Sequence, residues 1–501
     1  MTDTSLENPI LAAWQNTLAR SGTNPAIYSP NGAVLRSFVQ IGLEAMKIAR
    51  LFDRLPPHSV VAVQIGNSEL WPELLLALWR RQLIPLPLGE LGQTELAYTL
   101  GTCRAAALVT NQGGPLIVHR RPVADDATQW DGPVPDFLKL TSGTTSVPRA
   151  VRFRASQLVA DCENICATMG LTDVDVNYGV IPFSHSYGFS NLILPLLIRG
   201  VRLVVSRDRF PRAVLDGLLS TGATVFPATP VFFHKFAEME NIPEFPSLRL
   251  CISAGAPLIR QAAGMFSVKF GHKIHTFYGS SECGGISYDA TEERLYEDGF
   301  AGMPLKGVEI EPSAEEAGRI HVRSAAVGDG YFPTPEPAVL GDGRFIPPDL
   351  VLQTERGLML VGRTSEVINV AGRKLNPCEV EARLVEFPGV KQAVVFGVES
   401  TLRGEEPVAC IVGFNLVREE VQRFCQEKLS AWQVPRDLWF VGEIPTDERG
   451  KISRRALAES YLAQRVDLSC LRSSPMPAVS TMIPAGGTPS RRPASPPSWT
   501  A

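Results

Sequence analysis

From about residue 55 to 280, short apolar, β-rich runs alternate with segments of helical spacing, and no other feature limits the fold so strongly. Val60-Val61-Ala62-Val63-Gln64-Ile65 is followed by a helical pattern from Glu69 to Gln82, then by Leu83-Ile84-Pro85-Leu86. The rhythm returns in Val201 to Val205, the helix Pro211 to Ser220, the strand Ala223 to Phe226, the helix Val231 to Glu240, the strand Leu248 to Ser253 and the helix Leu258 to Phe270. Runs that are apolar throughout, rather than at every second residue, suit strands buried on both faces. A parallel sheet covered by helices is therefore expected.

With 501 residues the chain exceeds one ordinary core. After about residue 300 the strands become shorter and rich in Gly and Pro, as in Gly318-Arg319-Ile320-His321-Val322, which points to a β-rich subdomain. A compact α+β unit is expected from Thr364 to Leu462, with strands near Val390 to Gly397 and Pro407 to Phe414 and a helix from Arg418 to Ser430. The expected division is an α/β N-terminal domain over residues 1–363, with layered sheets and the β-rich subdomain, and a small mobile domain over 364–462. Residues 463–501, with their Pro, Ser and small side chains, bury too little surface to fold and read as a disordered tail.

A formal net charge of −4, without any long block of one sign, gives no general attraction to nucleic acid or to an anionic membrane. The most apolar stretch, Asn191 to Val205, is broken by Pro195, Arg199, Gly200 and Arg202, well short of the roughly 20 residues that span a bilayer. The first seven residues lack a basic start followed by an apolar stretch, so export is not expected. Nine cysteines, none in a Cys-x-x-Cys pair, read as reduced core thiols, with Cys162 and Cys166 on one helix. A cytoplasmic protein without an integral membrane segment fits best, and any phosphate binding must be local.

Leu140-Thr141-Ser142-Gly143-Thr144-Thr145-Ser146-Val147-Pro148-Arg149-Ala150 places hydroxyls and small residues between two strand-like segments, Asp136 to Leu140 and Ala150 to Phe153. Glycine lets the backbone approach an anion, Thr and Ser hydroxyls donate to phosphate oxygens, and Arg149 adds a permanent cation. The segment suits a polyphosphate; a solvated turn is its plainer reading. Lys273 to Phe277 reads as a strand running into Tyr278-Gly279-Ser280-Ser281-Glu282-Cys283-Gly284-Gly285. An aromatic ring, hydroxyls and a carboxylate then stand at a strand's carboxyl end, where open α/β sheets bind ligands. Tyr278 suits stacking on a purine, Ser281 a phosphate contact, and Glu282 a hard oxygen ligand for Mg2+. Further on come Pro347-Pro348-Asp349-Leu350, the run from Leu360 to Glu381, and Pro445-Thr446-Asp447-Glu448-Arg449-Gly450-Lys451-Ile452-Ser453-Arg454. Taken alone, Lys451 reads as a solvated surface residue.

In order and spacing, these blocks resemble the adenylate-forming superfamily, which contains acyl- and aryl-CoA synthetases, adenylation domains of peptide synthetases and firefly-type luciferases. The resemblance covers about residues 10 to 462. It implies that Thr141, Ser142, Gly143, Thr144, Thr145 and Arg149 belong to the phosphate loop, and that Ala254, Gly255 and Ala256 line the adenine pocket. Tyr278, with Gly279, Ser280 and Ser281, would continue the nucleotide site. Asp349 would hold the ribose hydroxyls, Arg363 would contact ribose or phosphate, Glu282 would bind magnesium, and Lys451 would be the catalytic cation. The resemblance also implies a swing of the C-terminal domain about a hinge near Ser365. That swing would withdraw Lys451 and present Gly372, whose missing side chain leaves room for a pantetheine arm.

Some positions depart from the family's pattern. Ser146 and Ala150 stand where glycine is usual, and Arg149 where lysine is usual, so the loop's cation is wider and always charged. Ser365 replaces the usual Asp or Lys, and Pro347-Pro348 replaces the usual Thr-Gly before Asp349. The segment Ile181-Pro182-Phe183-Ser184-His185-Ser186-Tyr187-Gly188 resembles the acyl- and aryl-CoA synthetase version of its block. Peptide-synthetase domains usually place an aspartate there to pair an amino group; His185 lacks that fixed charge and would wall the acyl pocket.

The implied activity is ATP- and Mg2+-dependent conversion of a carboxylic acid to an acyl-adenylate, followed by thioester formation with CoA and release of AMP and pyrophosphate. Transfer to the phosphopantetheine of an acyl carrier protein is one alternative. A nucleotide-binding interaction protein with reduced catalysis is another, and nothing singles out luciferase-like oxygen chemistry.

Overall fold

A computed structural model describes residues 8–111, 113–122, 129–141, 149–240, 244–245, 247–294, 296–311, 317–370, 373–400, 404–446 and 452–472. The alternation of apolar runs and helical segments folds as two helix-covered sheets. In the smaller one, strand Val60–Gln64 runs parallel to Ile84–Pro87 on one side and Ala105–Thr110 on the other. Val60 to Val63 are all buried, as a strand covered on both faces requires. The connecting helix Trp71–Arg80 is buried almost all round, through Leu74, Leu75, Leu76, Leu78 and both tryptophans.

The larger sheet holds six parallel strands in the order Pro25–Tyr28, Arg202–Val205, Val176–Gly179, Val225–Ala228, Leu250–Ser253 and Ile274–Ser280. Helices Pro211–Thr221 and Pro230–Glu238 each begin on a proline, whose fixed φ and missing N–H suit the first helical turn. Phe226 of the sheet meets Phe233 and Phe236 at ring separations of 5.6 and 5.7 Å, which locks helix Pro230–Glu238 onto its strand.

At Ser280 the sheet turns antiparallel. Ile274–Ser280 pairs with Gly284–Tyr288, then Phe300–Pro304, Gly357–Arg363 and Asp349–Thr354 follow across the ladder. The β-rich subdomain is an antiparallel sheet of Val308–Glu311, His321–Ser324, Leu340–Gly341 and Arg344–Phe345. The single strand expected over Gly318 to Val322 is divided: Ala317–Gly318 pairs with the large sheet and His321–Ser324 with the small one. A separate antiparallel sheet joins Phe137–Thr141, Arg149–Phe153 and Gly330–Phe332.

The small C-terminal domain wraps strands Ile368–Val370, Arg373–Leu375, Val390–Ser400, Gly404–Gly413 and Asp437–Phe440 against two helices. Helix Pro377–Val385 starts where Asn376 accepts from the Cys378 N–H, and it buries Val380 and Leu384, one helical turn apart. Helix Arg418–Lys428 buries Val421 and Cys425 at the same spacing. Each such aliphatic side chain contributes about 1.5–3 kcal/mol on burial.

The chain divides after Arg454 into a second unit. Its described part is helical, because helix Arg454–Arg472 continues past Leu462 into the segment expected to be tail. The physical reason is that Ala, Leu, Glu, Gln and Arg dominate up to that point, and the first proline comes only at Pro475. An Arg455–Glu459 pair at 3.0 Å adds one i,i+4 contact. Among the described residues, no helix is long and apolar enough to cross a membrane. The described cysteines are free, and Cys162 and Cys166 stand 3.9 Å apart on helix Ala155–Met169.

Candidate active site

The strand order gathers the candidate residues at one edge. Strands Phe137–Thr141 and Arg149–Phe153 form an antiparallel pair in which Thr141 faces Arg149, and the buried Thr141 hydroxyl donates to the Arg149 carbonyl at 3.1 Å. That hydroxyl therefore fastens the end of one strand to the start of the other. Ser142, Gly143, Thr144 and Thr145 lie outside the described residues. The Arg149 guanidinium stacks 3.7 Å over the Tyr331 ring and forms a 2.6 Å ion pair with Glu336. Tyr331 sits on Gly330–Phe332, the strand paired with Arg149–Phe153, and its hydroxyl donates to Glu282 Oε1 at 3.0 Å. Burial and the nearby Glu282 carboxylate push the Tyr331 phenol well up, so it remains a donor.

Glu282 occupies the tight turn between Ile274–Ser280 and Gly284–Tyr288, where its N–H donates to Ser280 Oγ at 3.2 Å. Ser281 is half-buried beside it, and Gly279 is exposed. Four residues before Glu282, Tyr278 is buried, and its hydroxyl donates to Asp349 Oδ2 at 2.8 Å. Asp349 faces Arg363 in the antiparallel ladder, and Arg363 Nε donates to Oδ1 at 2.8 Å. Both carboxylate oxygens are thus held by protein donors, each with a second lone pair left for a ligand. Burial, followed by the Asp349 charge, raises the Tyr278 phenol well above its usual range and keeps it a donor.

Ala254, Gly255 and Ala256 leave the carboxyl end of strand Leu250–Ser253, next to Ile274–Ser280. Gly255 has φ +86°, a left-handed conformation that suits glycine, and it is exposed at this edge. His185 caps the turn Ser186–Gly188, with Nδ1 accepting from the Tyr187 N–H at 3.3 Å, which leaves the proton of the neutral ring on Nε2. Tyr187 in turn donates to the Ile252 carbonyl at 3.2 Å and packs 5.9 Å from Phe277. The histidine segment therefore sits against the strands that carry Ser253 and Tyr278.

Arg149, Tyr331, Glu282, Tyr278, Asp349 and Arg363 form one continuous chain of contacts and sequence neighbours around a sheet edge. Tyr331 and Glu336 were not legible as site residues, since a tyrosine after glycine and a surface glutamate carry no distinctive spacing. Lys451 and Gly372 lie outside the described residues, as does the side chain of Ser365. The backbone at Ser365 is a short 3-10 turn, Thr364–Glu366, directly after Arg363. Arg454, three residues past Lys451, donates to both oxygens of Glu381 at 2.9 and 3.0 Å and pairs with Glu366 at 2.5 Å. This arginine joins the turn Thr364–Glu366 to helix Pro377–Val385. Among the described residues, no cluster of three or more His, Cys, Asp or Glu could hold a metal.

The family model described as AMP-binding enzyme matches residues 14–332, and that of the AMP-binding enzyme C-terminal domain matches residues 379–451. A relative from Humulus lupulus named "Probable CoA ligase CCL9" is 31% identical over 344 residues, which is 65% of this chain and 66% of the relative. The chain thus spans just under two thirds of that relative's length. An oxalate–CoA ligase of Arabidopsis thaliana is 29% identical over 404 residues, 75% of this chain and 78% of the relative. The crystal structure of ATP-bound MatB from Rhodopseudomonas palustris superposes with a TM-score of 0.78 at 22% identity, covering 90% of this chain and 98% of that one. The match to the first model over most of the N-terminal domain, with the second in its proper order behind it, establishes that the chain belongs to the AMP-binding enzyme family of adenylate-forming proteins.

Proposed function

We propose that this protein activates a carboxylic acid with ATP and transfers the acyl group to the thiol of CoA. The observation that carries the reading is a pair of contact chains, Arg149–Tyr331–Glu282 and Tyr278–Asp349–Arg363, separated by only four residues along the backbone from Tyr278 to Glu282. It joins a phosphate-type cation, a metal-type carboxylate and a ribose-type carboxylate on one rigid edge.

In the first half-reaction a carboxylate oxygen attacks the α-phosphorus of ATP. The new P–O bond forms as the bond to pyrophosphate breaks, giving acyl-adenylate and pyrophosphate. Both reactants are anionic, so alignment and charge neutralisation supply most of the acceleration. Asp349 would accept from the ribose hydroxyls, and Arg149, exchanging Glu336 for phosphate, would neutralise the triphosphate. Lys451 would bridge the acid's carboxylate and the nucleotide. Ala254, Gly255, Ala256 and Tyr278 would bound the base, and His185 would wall the acyl pocket.

A single glutamate fits Mg2+, which usually takes one or two protein carboxylates and completes its shell with phosphate oxygens and water. Glu282 would hold the ion, which would supply charge neutralisation. In the second half-reaction the thiolate sulfur attacks the acyl carbonyl and AMP leaves. The family resemblance supports a rotation about Ser365 between the two steps, with residues 364–462 moving against 1–363 and Gly372 leading the pantetheine arm to the site.

The test is a panel of carboxylic acids scored by acid-dependent pyrophosphate release, with mass analysis of products formed in the presence of CoA or of a phosphopantetheinylated carrier protein. An acyl-CoA product is expected. Thioester on the carrier alone would replace CoA as the acceptor, and nucleotide binding without acid-dependent pyrophosphate would leave an interaction protein.

A further inference from the structure

Lys139 and Asp161 are ionisable side chains set in the apolar interior, 4% and 2% exposed, with Nζ 3.7 Å from Oδ2. Withdrawing two charges from water commonly costs more than their attraction returns, so stability alone does not account for the pair. Its contacts suggest a different use. Asp161 Oδ2 accepts from the Ser190 hydroxyl at 2.6 Å, and Lys139 Nζ donates to that hydroxyl at 3.3 Å, closing a ring of three polar groups. Asp161 Oδ1 reaches elsewhere, accepting from the Gly285 N–H at 3.0 Å.

Gly285 lies three residues after Glu282. Between them, Gly284 has φ +71°, and a Cβ there would fall 2.0 Å from Asp161 Oδ1. The carboxylate thus rests directly on the backbone that ends the Glu282 turn. On the other side, Lys139 stands two residues before Thr141 on strand Phe137–Thr141, with Nζ over the rings of Phe153 and Phe189 at 4.6 and 5.9 Å. Ser190 belongs to the π-helical turn Phe189–Ile193, a local irregularity that concentrates at functional sites.

We propose that the Lys139–Ser190–Asp161 ring is a positioning device for metal and triphosphate: through Gly285 it sets the turn carrying Glu282, and through Lys139 it fixes that turn against the strand leading into the hydroxyl-rich segment. The proposal rests on the ligase reading above for its metal and nucleotide. None of the three side chains touches substrate; they act through Glu282.

The full chain with a non-hydrolysable ATP analogue is titrated with Mn2+ by calorimetry, and the Mg2+ dependence of pyrophosphate release is measured in parallel. In Lys139→Met, metal affinity in the nucleotide complex is expected to fall by about 10-fold or more, the usual scale for a residue that orients a metal ligand. Affinity for the analogue without metal should stay within about 2-fold. Ser190→Ala removes one hydroxyl, keeps both charges, and should show a smaller shift in the same direction even if Lys139→Met does not fold. Unchanged metal affinity in a folded variant overturns the proposal, as does a parallel loss of metal-free nucleotide affinity, which would mark a purely structural role. A wild-type protein that binds Mn2+ and nucleotide but releases no acid-dependent pyrophosphate defeats the ligase reading while leaving the positioning claim to the metal titration. Absence of metal-dependent nucleotide binding in the wild type defeats both.

Discussion

Asp349→Asn isolates the carboxylate expected to hold the ribose. In the wild type, Oδ2 accepts from Tyr278 and Oδ1 from Arg363, both at 2.8 Å. An amide has one acceptor; directed at Arg363, it turns its NH2 toward Tyr278, whose hydroxyl can rotate and accept. The protein contacts are then kept but lose the carboxylate's charge, while the guanidinium keeps its own. A charge-assisted bond contributes about 1.5–3 kcal/mol against about 0.5–1.5 for a neutral one. Because the Arg363 side chain is 45% exposed, its share is screened. The stability cost is therefore about 1–2 kcal/mol. The ligand's loss is larger, since two ribose hydroxyls that both donate to a carboxylate cannot both donate to the one remaining oxygen. A loss of about 1.5–3 kcal/mol corresponds to a roughly 10- to 150-fold weaker ATP dissociation constant.

Calorimetric binding of ATP and of 2′,3′-dideoxy-ATP to both proteins completes a thermodynamic cycle. The dideoxy nucleotide should bind the wild type much more weakly than ATP, and that gap should shrink by about 10-fold or more in Asp349→Asn. An equal dideoxy penalty in both proteins would refute the assignment of Asp349 to the ribose.

Lys451→Ala is expected to slow acid-dependent pyrophosphate release by about 10²-fold or more. Thioester formation from supplied acyl-adenylate should survive; its loss would place the lysine in both half-reactions. Tyr331→Phe removes the donor to Glu282 and keeps the ring beneath Arg149, so it should raise the half-saturating Mg2+ concentration several-fold with little change in metal-free ATP affinity. A Tyr331→Phe enzyme with wild-type Mg2+ dependence would remove that tyrosine from the metal's surroundings. Glu73 is fully buried, with Arg36 on Oε1 at 2.7 Å and, among the described residues, no partner on Oε2, and burial pushes it up to about 7 from 4.5 against the opposing pull of Arg36. With the folded value above the unfolded one, its contribution to stability is complete below about pH 4.5 and is lost as pH rises through 7. That loss amounts to about 3 kcal/mol. Thermal denaturation from pH 5 to 8 should show this slope in the wild type and lack it in Glu73→Gln; identical slopes would mean Glu73 is charged in the fold.

The α/β layering was legible because burial on both faces leaves an unbroken apolar run that no other architecture requires. The observed helix Pro211–Thr221 and strands Val225–Ala228 and Leu250–Ser253 lie within one or two residues of the expected bounds. Boundaries failed where tertiary pairing overrides local pattern, as at His321–Ser324, whose partner Val308–Glu311 lies outside its own stretch of chain. Order along the chain singled out Glu282, Asp349 and Arg363 as candidates; the contacts each makes, Asp349 to Arg363 and Glu282 to Tyr331, were not legible in it. Asp349 meets Arg363 because their strands share a ladder, and Tyr331 meets Glu282 because Gly330–Phe332 adds to a hairpin nearly 180 residues upstream.

Lys139 and Asp161 left a signal of a different kind. Lysine interrupts the apolar strand Phe137-Leu138-Lys139-Leu140, and Asp161 stands on the buried face of its helix, three residues after Leu158 and four before Ile165. A charge at a core position of an otherwise apolar pattern either finds a partner or is not retained. One such interruption indicates only that a partner exists, whereas two of opposite sign, on elements that pack together, name each other. The same reasoning applies to Arg454 and Glu381, where burial raises the carboxyl and the arginine opposes that shift. In both pairs the buried charge lies within three residues of a segment expected at the reaction centre, Thr141 for Lys139 and Lys451 for Arg454. These two ionic contacts thus lie beside segments proposed for the chemistry, while the aliphatic core carries the stability that leaves those positions free to be polar.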